Sequence, residues 1–256
     1  MKSNKLRFKS AVTAMCLHFV ATLLVAFIVA ALVFGVWYPH PYRAMSGGTE
    51  LFFLVIGVDI VCGPLLTLVL FNPTKPKREM VVDLGLVVIM QLTALSYGIW
   101  TVQQARPLYL VHEVDRFKVI ALADIDVQEL NNLPKILQIH LFKGPQTTGL
   151  REANKAEREI VMFESVQGGR DYGERPSFYA IYDATRALAA YQKAKPISDF
   201  VKKYPMKQSD INKLQLQLQG GDVGQLRYVP IIARQDWIAV LNPKGEIVGY
   251  MQGDGF

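Results

Sequence analysis

Cysteine is almost absent from this sequence: of 256 residues only Cys16 and Cys62 carry a thiol, and both fall inside long apolar runs. The hydrophilic part therefore has no disulfide framework, no thiol redox pair and no cysteine-ligated zinc. Histidine is nearly as scarce, and beyond residue 100 only His112 and His140 remain, neither near a serine or cysteine in a nucleophile motif. There is no GxSxG elbow, no HExxH pair and no phosphate-binding P-loop. Gly220-Gly221-Asp222-Val223-Gly224 has the glycines of a phosphate loop, but it follows a glutamine-rich stretch and lacks the lysine, so it reads as a turn. The pairs Asp124 and Asp126, and Asp171 and Glu174, have the chemistry of a general acid and base, yet solvated loops contain the same residues. No catalytic residue, metal ligand set or cofactor is expected, and the protein reads as no enzyme. Acids are also rare in the first hundred residues, four against eight Lys or Arg, while the remainder holds eighteen against twenty. The net charge of +6 thus sits mostly beside apolar runs, not on a nucleic-acid surface.

What is abundant is long apolar sequence. The chain opens with MKSNKLRFK, basic and free of acid, and continues into an apolar run from about residue 11 to 37. That run is too long for a signal peptide and has no small-residue cleavage site, so it reads as an uncleaved membrane helix. Leu51 to Phe71 is the second such run, covering roughly 30 Å at about 1.5 Å per residue, the thickness of the hydrocarbon core. It carries Asp59 in its middle and Gly63-Pro64 just beyond, where a kink is expected. The third run spans about 81–100. Four basic residues precede the first helix and Lys75, Lys77 and Arg78 follow the second, against Arg43 alone in the other loop. The excess predicts a cytoplasmic N-terminus, three crossings of the inner membrane, Trp37 and Tyr38 as outer interfacial anchors, and a periplasmic remainder. The organisation expected is a three-helix membrane region at 1–100 and a periplasmic domain at 101–256.

Each helix also has a face of small or polar residues. Ala14, His18, Thr22, Ala26 and Ala30 recur every four residues in the first; Asp59, Cys62, Gly63 and Thr67 share a side of the second; Gln91, Ala94 and Gly98 share one of the third. Counted from the cytoplasmic ends, His18, Gln91 and Asp59 lie roughly 11, 15 and 18 Å deep. An ionised carboxylate at that depth costs on the order of 3 kcal/mol, so Asp59 needs a partner. Two readings stand: the polar layer satisfies itself and glues three helices together, or Asp59 and the small face around Cys62, Gly63 and Thr67 receive a partner helix.

Beyond Trp100 the pattern is α+β. Pro107 to Val111 and Phe117 to Leu122 form a hairpin around Glu113 to Arg116, the middle is helical or irregular, and strands at 227–233, 237–241 and 246–251 close the chain. Helices are expected at 151–166, after Asp183 as N-cap, and after Ser198 and Ser209. Two strands, a helical middle and three strands match PAS and Cache sensor domains in element order alone.

The segments GVDIVCGPLLTLVLFNP, DLGLVVIMQLTALSYG and ARPLYLVHEVDRF resemble the TfpX/TfpZ family of type IV pilin accessory proteins. The matching positions are Gly57 to Asp59, Gly63 to Leu68, Phe71 to Pro73, Asp83, Leu84, Gln91, Leu92, Ala94, Leu95, Tyr97, Gly98, Ala105 to Pro107, Tyr109, Glu113 and Asp115 to Phe117. From about Asp124 to Leu226 no motif is matched. The resemblance implies a non-enzymatic accessory factor for the assembly, stability or dynamics of type IV pili. Its implied partners are a cognate major pilin, the inner-membrane pilus machinery and the bilayer itself, with no nucleic acid and no cofactor. The site expected for the pilin is the cluster Asp59, Cys62, Gly63, Thr67, His18 and Gln91. A pilin-modifying membrane enzyme such as a glycosyltransferase, and a periplasmic ligand sensor, are the alternatives.

Overall fold

The computed structural model describes residues 2–217 and 223–256, and the chain divides into two compact units. The first comprises residues 1–36 and 48–104; the second comprises 37–47 and 105–256.

In the first unit three helices are long and apolar enough to cross a membrane. Helix α1 (Lys2–Leu32) runs into a π-helical turn at Val33–Trp37, α3 is Gly48–Leu70 and α4 is Lys77–Gln104. Helix α3 packs along both α1 and α4. Phe34 meets Phe52 edge to face at 4.8 Å, and Gly98 lets the Val55 side chain lie against the α4 backbone. The outward faces stay apolar and uncovered, with Leu24, Phe27, Phe53, Val69 and Ile89 all exposed, as a lipid solvent requires of a membrane protein. All three helices begin before the predicted spans, and α3 continues through Pro64 without a break. After Phe71, the Asn72 side chain accepts from the Thr74 amide and hydroxyl, and Lys75 pairs with Asp83 at 2.5 Å.

The second unit is a mixed sheet covered by helices, an α+β domain. Its strands are β1 (Pro107–Glu113), β2 (Arg116–Ala121), β3 (Gln146–Leu150), β4 (Tyr179–Ile181), β5 (Lys195–Pro196), β6 (Arg227–Ile232), β7 (Trp237–Leu241) and β8 (Ile247–Gln252). The sheet order is β4-β3-β1-β2-β6-β7-β8, with β5 on β6; β1/β3 and β2/β6 are parallel and the other pairs antiparallel. The closing hairpin turns on Asn242, whose side chain accepts from the Lys244 and Glu246 amides, and on Gly245 at φ 77°. Strand β7 is buried on both sides. Trp237, Ala239 and Leu241 face a cluster with Leu110 and Phe117 under α6 (Ala184–Lys193), and Ile238 and Val240 face one with Phe200 and Ile211. The latter residues come from α7 (Ile197–Lys203) and α8 (Gln208–Gln217).

Several sequence expectations are corrected here. The middle carries strands β3, β4 and β5, so the element order departs from the one that suggested PAS and Cache domains. Helix α5 (Lys155–Val166) begins at a capping box of Asn154 and Glu157, four residues later than the charge pattern suggested, whereas Asp183 caps α6 through the Arg186 amide. Helices α7 and α8 start one residue ahead of Ser198 and Ser209, which therefore cap neither. Of the glycine cluster, Gly220, Gly221 and Asp222 lie outside the described residues, and Val223 opens a short 3-10 turn.

The largest departure concerns Trp37–Gly47. Read as a loop between membrane helices, it is a strap within the core of the second unit. Its short helix α2 (Tyr42–Met45) places Tyr42 and Met45 in the Leu110/Phe117 cluster. Trp37 is no interfacial anchor: its indole N–H donates to the Leu141 carbonyl at 2.8 Å, and the buried Arg106 guanidinium lies 5.5 Å from its ring. Burial lowers the Arg106 pKa, while the carbonyls of His140 and Leu141 accept from its two terminal nitrogens. Tyr38 is likewise buried.

Candidate functional site

In the membrane unit the polar residues of α1, α3 and α4 converge. The His18 ring bridges the other two helices, with Nδ1 2.5 Å from the Thr67 hydroxyl and Nε2 2.6 Å from Gln91 Oε1. Gln91 Nε2 then donates to the Asp59 backbone carbonyl at 3.1 Å. Gln91 reaches that far because residue 63 is glycine: its amide occupies the space a Cβ there would fill. The Thr22 hydroxyl returns a bond to the His18 carbonyl at 3.1 Å, which leaves this hydroxyl satisfied inside α1.

Five of the six expected residues are therefore together, and one is not. Cys62 is exposed on the outer face of α3. At about 100° per residue it lies some 60° to one side of Asp59, whereas Gly63 and Thr67 lie 40° and 80° to the other. Ala94 is exposed too, so only Gln91 and Gly98 of the α4 set face inward. Spacing by three residues from the acid was too coarse to separate the two sides of the helix.

The Asp59 carboxylate is the odd member. The residue is only 5% exposed, yet among the described residues no hydrogen bond or ion pair reaches its side chain; only its backbone carbonyl joins the network. It lines a cleft of about 230 Å³ with His18, Thr22, Ile56, Gln91 and Leu95, walled by α1 and α4 and floored by α3. Apart from His18, Thr22, Asp59 and Gln91 the lining is aliphatic, so the cleft offers apolar contact around one acid. No group of His, Cys, Asp or Glu among the described residues is arranged to hold a metal ion.

The second unit gathers no catalytic set from the candidates. His112 packs its ring against Phe117 at 5.0 Å, and burial with Lys193 nearby pushes its pKa down to about 4. His140 is an exposed loop residue. Asp124 and Asp126 accept from the amides of Ala121 and Gln128, and Glu174 pairs with Lys118 at 2.7 Å while accepting from the Asp171 amide. These acids close turns.

Comparison with known proteins gives a consistent result. Residues 6–47, which cover most of α1 and the strap, match the family described as fimbrial assembly protein FimB. The chain is 34% identical over 257 aligned positions to the fimbrial assembly protein of serogroup I of Dichelobacter nodosus, covering 99% of both chains. The serogroup E1 protein of the same organism is 33% identical, again over 99% of both. The protein of serogroups C1 and C2 is 42% identical over 127 residues, which is 50% of this chain and 97% of that one. No solved structure matches. With that identity sustained from end to end, the chain belongs to the FimB family of fimbrial assembly proteins.

Proposed function

We propose that this protein is a non-enzymatic accessory factor of the inner membrane, of the TfpX/TfpZ kind, that assists the assembly of type IV pili by holding a cognate major pilin. The observation that carries the proposal is the Asp59 carboxylate, which lines an apolar cleft without a hydrogen-bond or ion-pair partner among the described residues. A carboxylate so placed costs on the order of 3 kcal/mol until a cation or donor reaches it. A single apolar helix with a positive group near one end would supply both parts, covering the aliphatic walls and meeting the acid. Relatives along the full chain are named fimbrial assembly proteins, which supports the same biological setting. The basic residues before α1 and between α3 and α4 support a cytoplasmic N-terminus, and with three crossings a periplasmic sheet domain.

The test is Asp59→Asn in the native cell, with surface pilin and the level of this protein both measured by immunoblot. Reduced surface pilin at a normal protein level is expected, together with loss of pilin crosslinks from photoreactive residues at the cleft-lining positions Ala21 and Leu92. Unchanged piliation and crosslinking would remove the cleft from the reading.

A further inference from the structure

The sheet of the second unit ends in two unlike edges. Strand β4 is three residues long and leads at once into the Asp183 cap of α6, which leaves little edge to pair with. Strand β8 is six residues long, IVGYMQ, and has none of the lysines or prolines with which natural edge strands discourage pairing. Its hydrogen-bond phase follows from the register. The Gly253 amide donates to the Asp236 carbonyl, so the in-register pairs Met251/Ile238 and Gly249/Val240 take the bonded positions. The N–H and C=O groups of Tyr250 and Gln252 then point away from β7, and among the described residues no backbone hydrogen bond meets them.

A groove of about 550 Å³ lies beside this edge. Along with residues 248–252 it is lined by His40 and Pro41 of the strap and by Lys207, Asp210 and Lys213 at α8. Gly249 lets Leu214 of α8 pack onto one face of the strand, and Tyr42 meets Tyr250 edge to face, ring centroids 6.2 Å apart. The strand is thus held, with its outer edge open. Lys207 and Lys213 share one acid, each 3.7 Å from Asp210, so among the described residues the rim carries one more positive than negative charge. Trp237, 7% exposed, also lines the groove, and its indole N–H has no acceptor among the described residues.

We propose that β8 is a strand-addition site for an extended acidic segment of another protein, which continues the sheet by backbone pairing and sets a carboxylate against Lys207 and Lys213. Backbone groups supply affinity in this mode, and the flanking charge selects the sequence. A second copy of the chain is the poorer occupant, because two-fold pairing of β8 would bring two rims of the same positive sign into one interface.

The full chain in lipid nanodiscs tests this by fluorescence anisotropy. The probe is a labelled decapeptide of alternating Val and Thr with two central Glu; its counterparts carry Lys in place of Glu, or a central Pro. The acidic peptide should bind at least tenfold more tightly than either counterpart. Gln252→Pro removes an outward N–H without removing a bond to β7, and should weaken binding at least tenfold. The pair Lys207→Glu and Lys213→Glu, at a half-buried and an exposed side chain, should invert the charge preference, and keeps the test decisive if the proline variant misfolds. Equal affinity for acidic and basic peptides, absence of binding, or correctly folded variants that bind like the parent would overturn the proposal. So would a concentration-dependent dimer in sedimentation that Gln252→Pro abolishes, which would make a second copy the occupant.

Discussion

Replacing Met45 by Ala should destabilise the sheet domain by about 3 kcal/mol, within the range of about 2 to 5 kcal/mol for emptying a packed methionine site. Met45 is 0% exposed and lies in one cluster with Leu110, Phe117, Val229 and Ala239, although some sixty residues of chain separate it from β1. Its backbone carbonyl also accepts from the Gln235 amide at 3.3 Å, so the strap is tied to the β6–β7 turn by backbone as well as side chain. For a domain of this size each kcal/mol moves the melting temperature by about 2 to 4 °C, giving a drop near 10 °C. Near-UV circular dichroism of the purified protein in detergent, followed against temperature, reads the domain through its buried aromatic rings. Met206→Ala, at a side chain that is 91% exposed, is the control and should stay within about 0.5 kcal/mol of the parent. A melt for Met45→Ala within 2 °C of that control would refute the strap as a core element.

Gly63→Ala places a methyl where the Gln91 amide lies, and should break the His18–Gln91 bond and weaken helix packing by about 1 kcal/mol, read by SDS titration in bicelles. In the same assay a cycle of His18→Ala and Gln91→Ala should show coupling of roughly 0.5 to 1.5 kcal/mol; strict additivity would mean the bond contributes nothing. His112 titrates near 4 in the fold and near 6.5 when unfolded, so between those values the unfolded chain binds more protons and stability falls as pH falls. The loss, at most about 3 kcal/mol by pH 4, should be absent from His112→Leu in urea unfolding of the two proteins; parallel pH profiles would contradict it.

The membrane helices were legible because their signal is local: an unbroken apolar run needs no knowledge of its neighbours. The hairpin at 113–116, the cap at Asp183 and the turn at Asn242 were legible for the same reason, since each depends on a few adjacent residues. Strand β3 was not, because QTTGL carries little β pattern and forms through its partners on β1 and β4. The strap was hidden more deeply. WYPHPYRAMSG has the prolines and glycine of a loop, and nothing local says that Tyr42 and Met45 will meet residues beyond 100. A weak sign was there: Trp37, Tyr38, Tyr42 and Met45 are more large apolar side chains than a short solvated loop ordinarily carries. In the candidate site, the depth of His18 and Gln91 pointed to their meeting, while the role of Thr67 as the second partner of His18 depended on a helix rotation that sequence spacing does not fix.

That rotation also bears on the two readings of Asp59. If the acid served only as glue, it would be found inside the network that holds the helices, and an asparagine of the same shape would serve without the cost of a charge. The network instead closes without it: His18 takes Thr67 and Gln91, and Gln91 takes the Asp59 carbonyl, a group that any residue would present at that position. Removing the carboxylate therefore removes no described contact, while keeping it leaves an acid facing an aliphatic cleft. A structural account assigns the side chain a cost and no return, whereas a partner bringing a positive group to the cleft offsets the cost on arrival. On this reasoning Asp59→Asn should leave helix packing in the bicelle assay unchanged or slightly stronger while piliation falls. A variant that loses packing and piliation together would instead make the acid part of the scaffold.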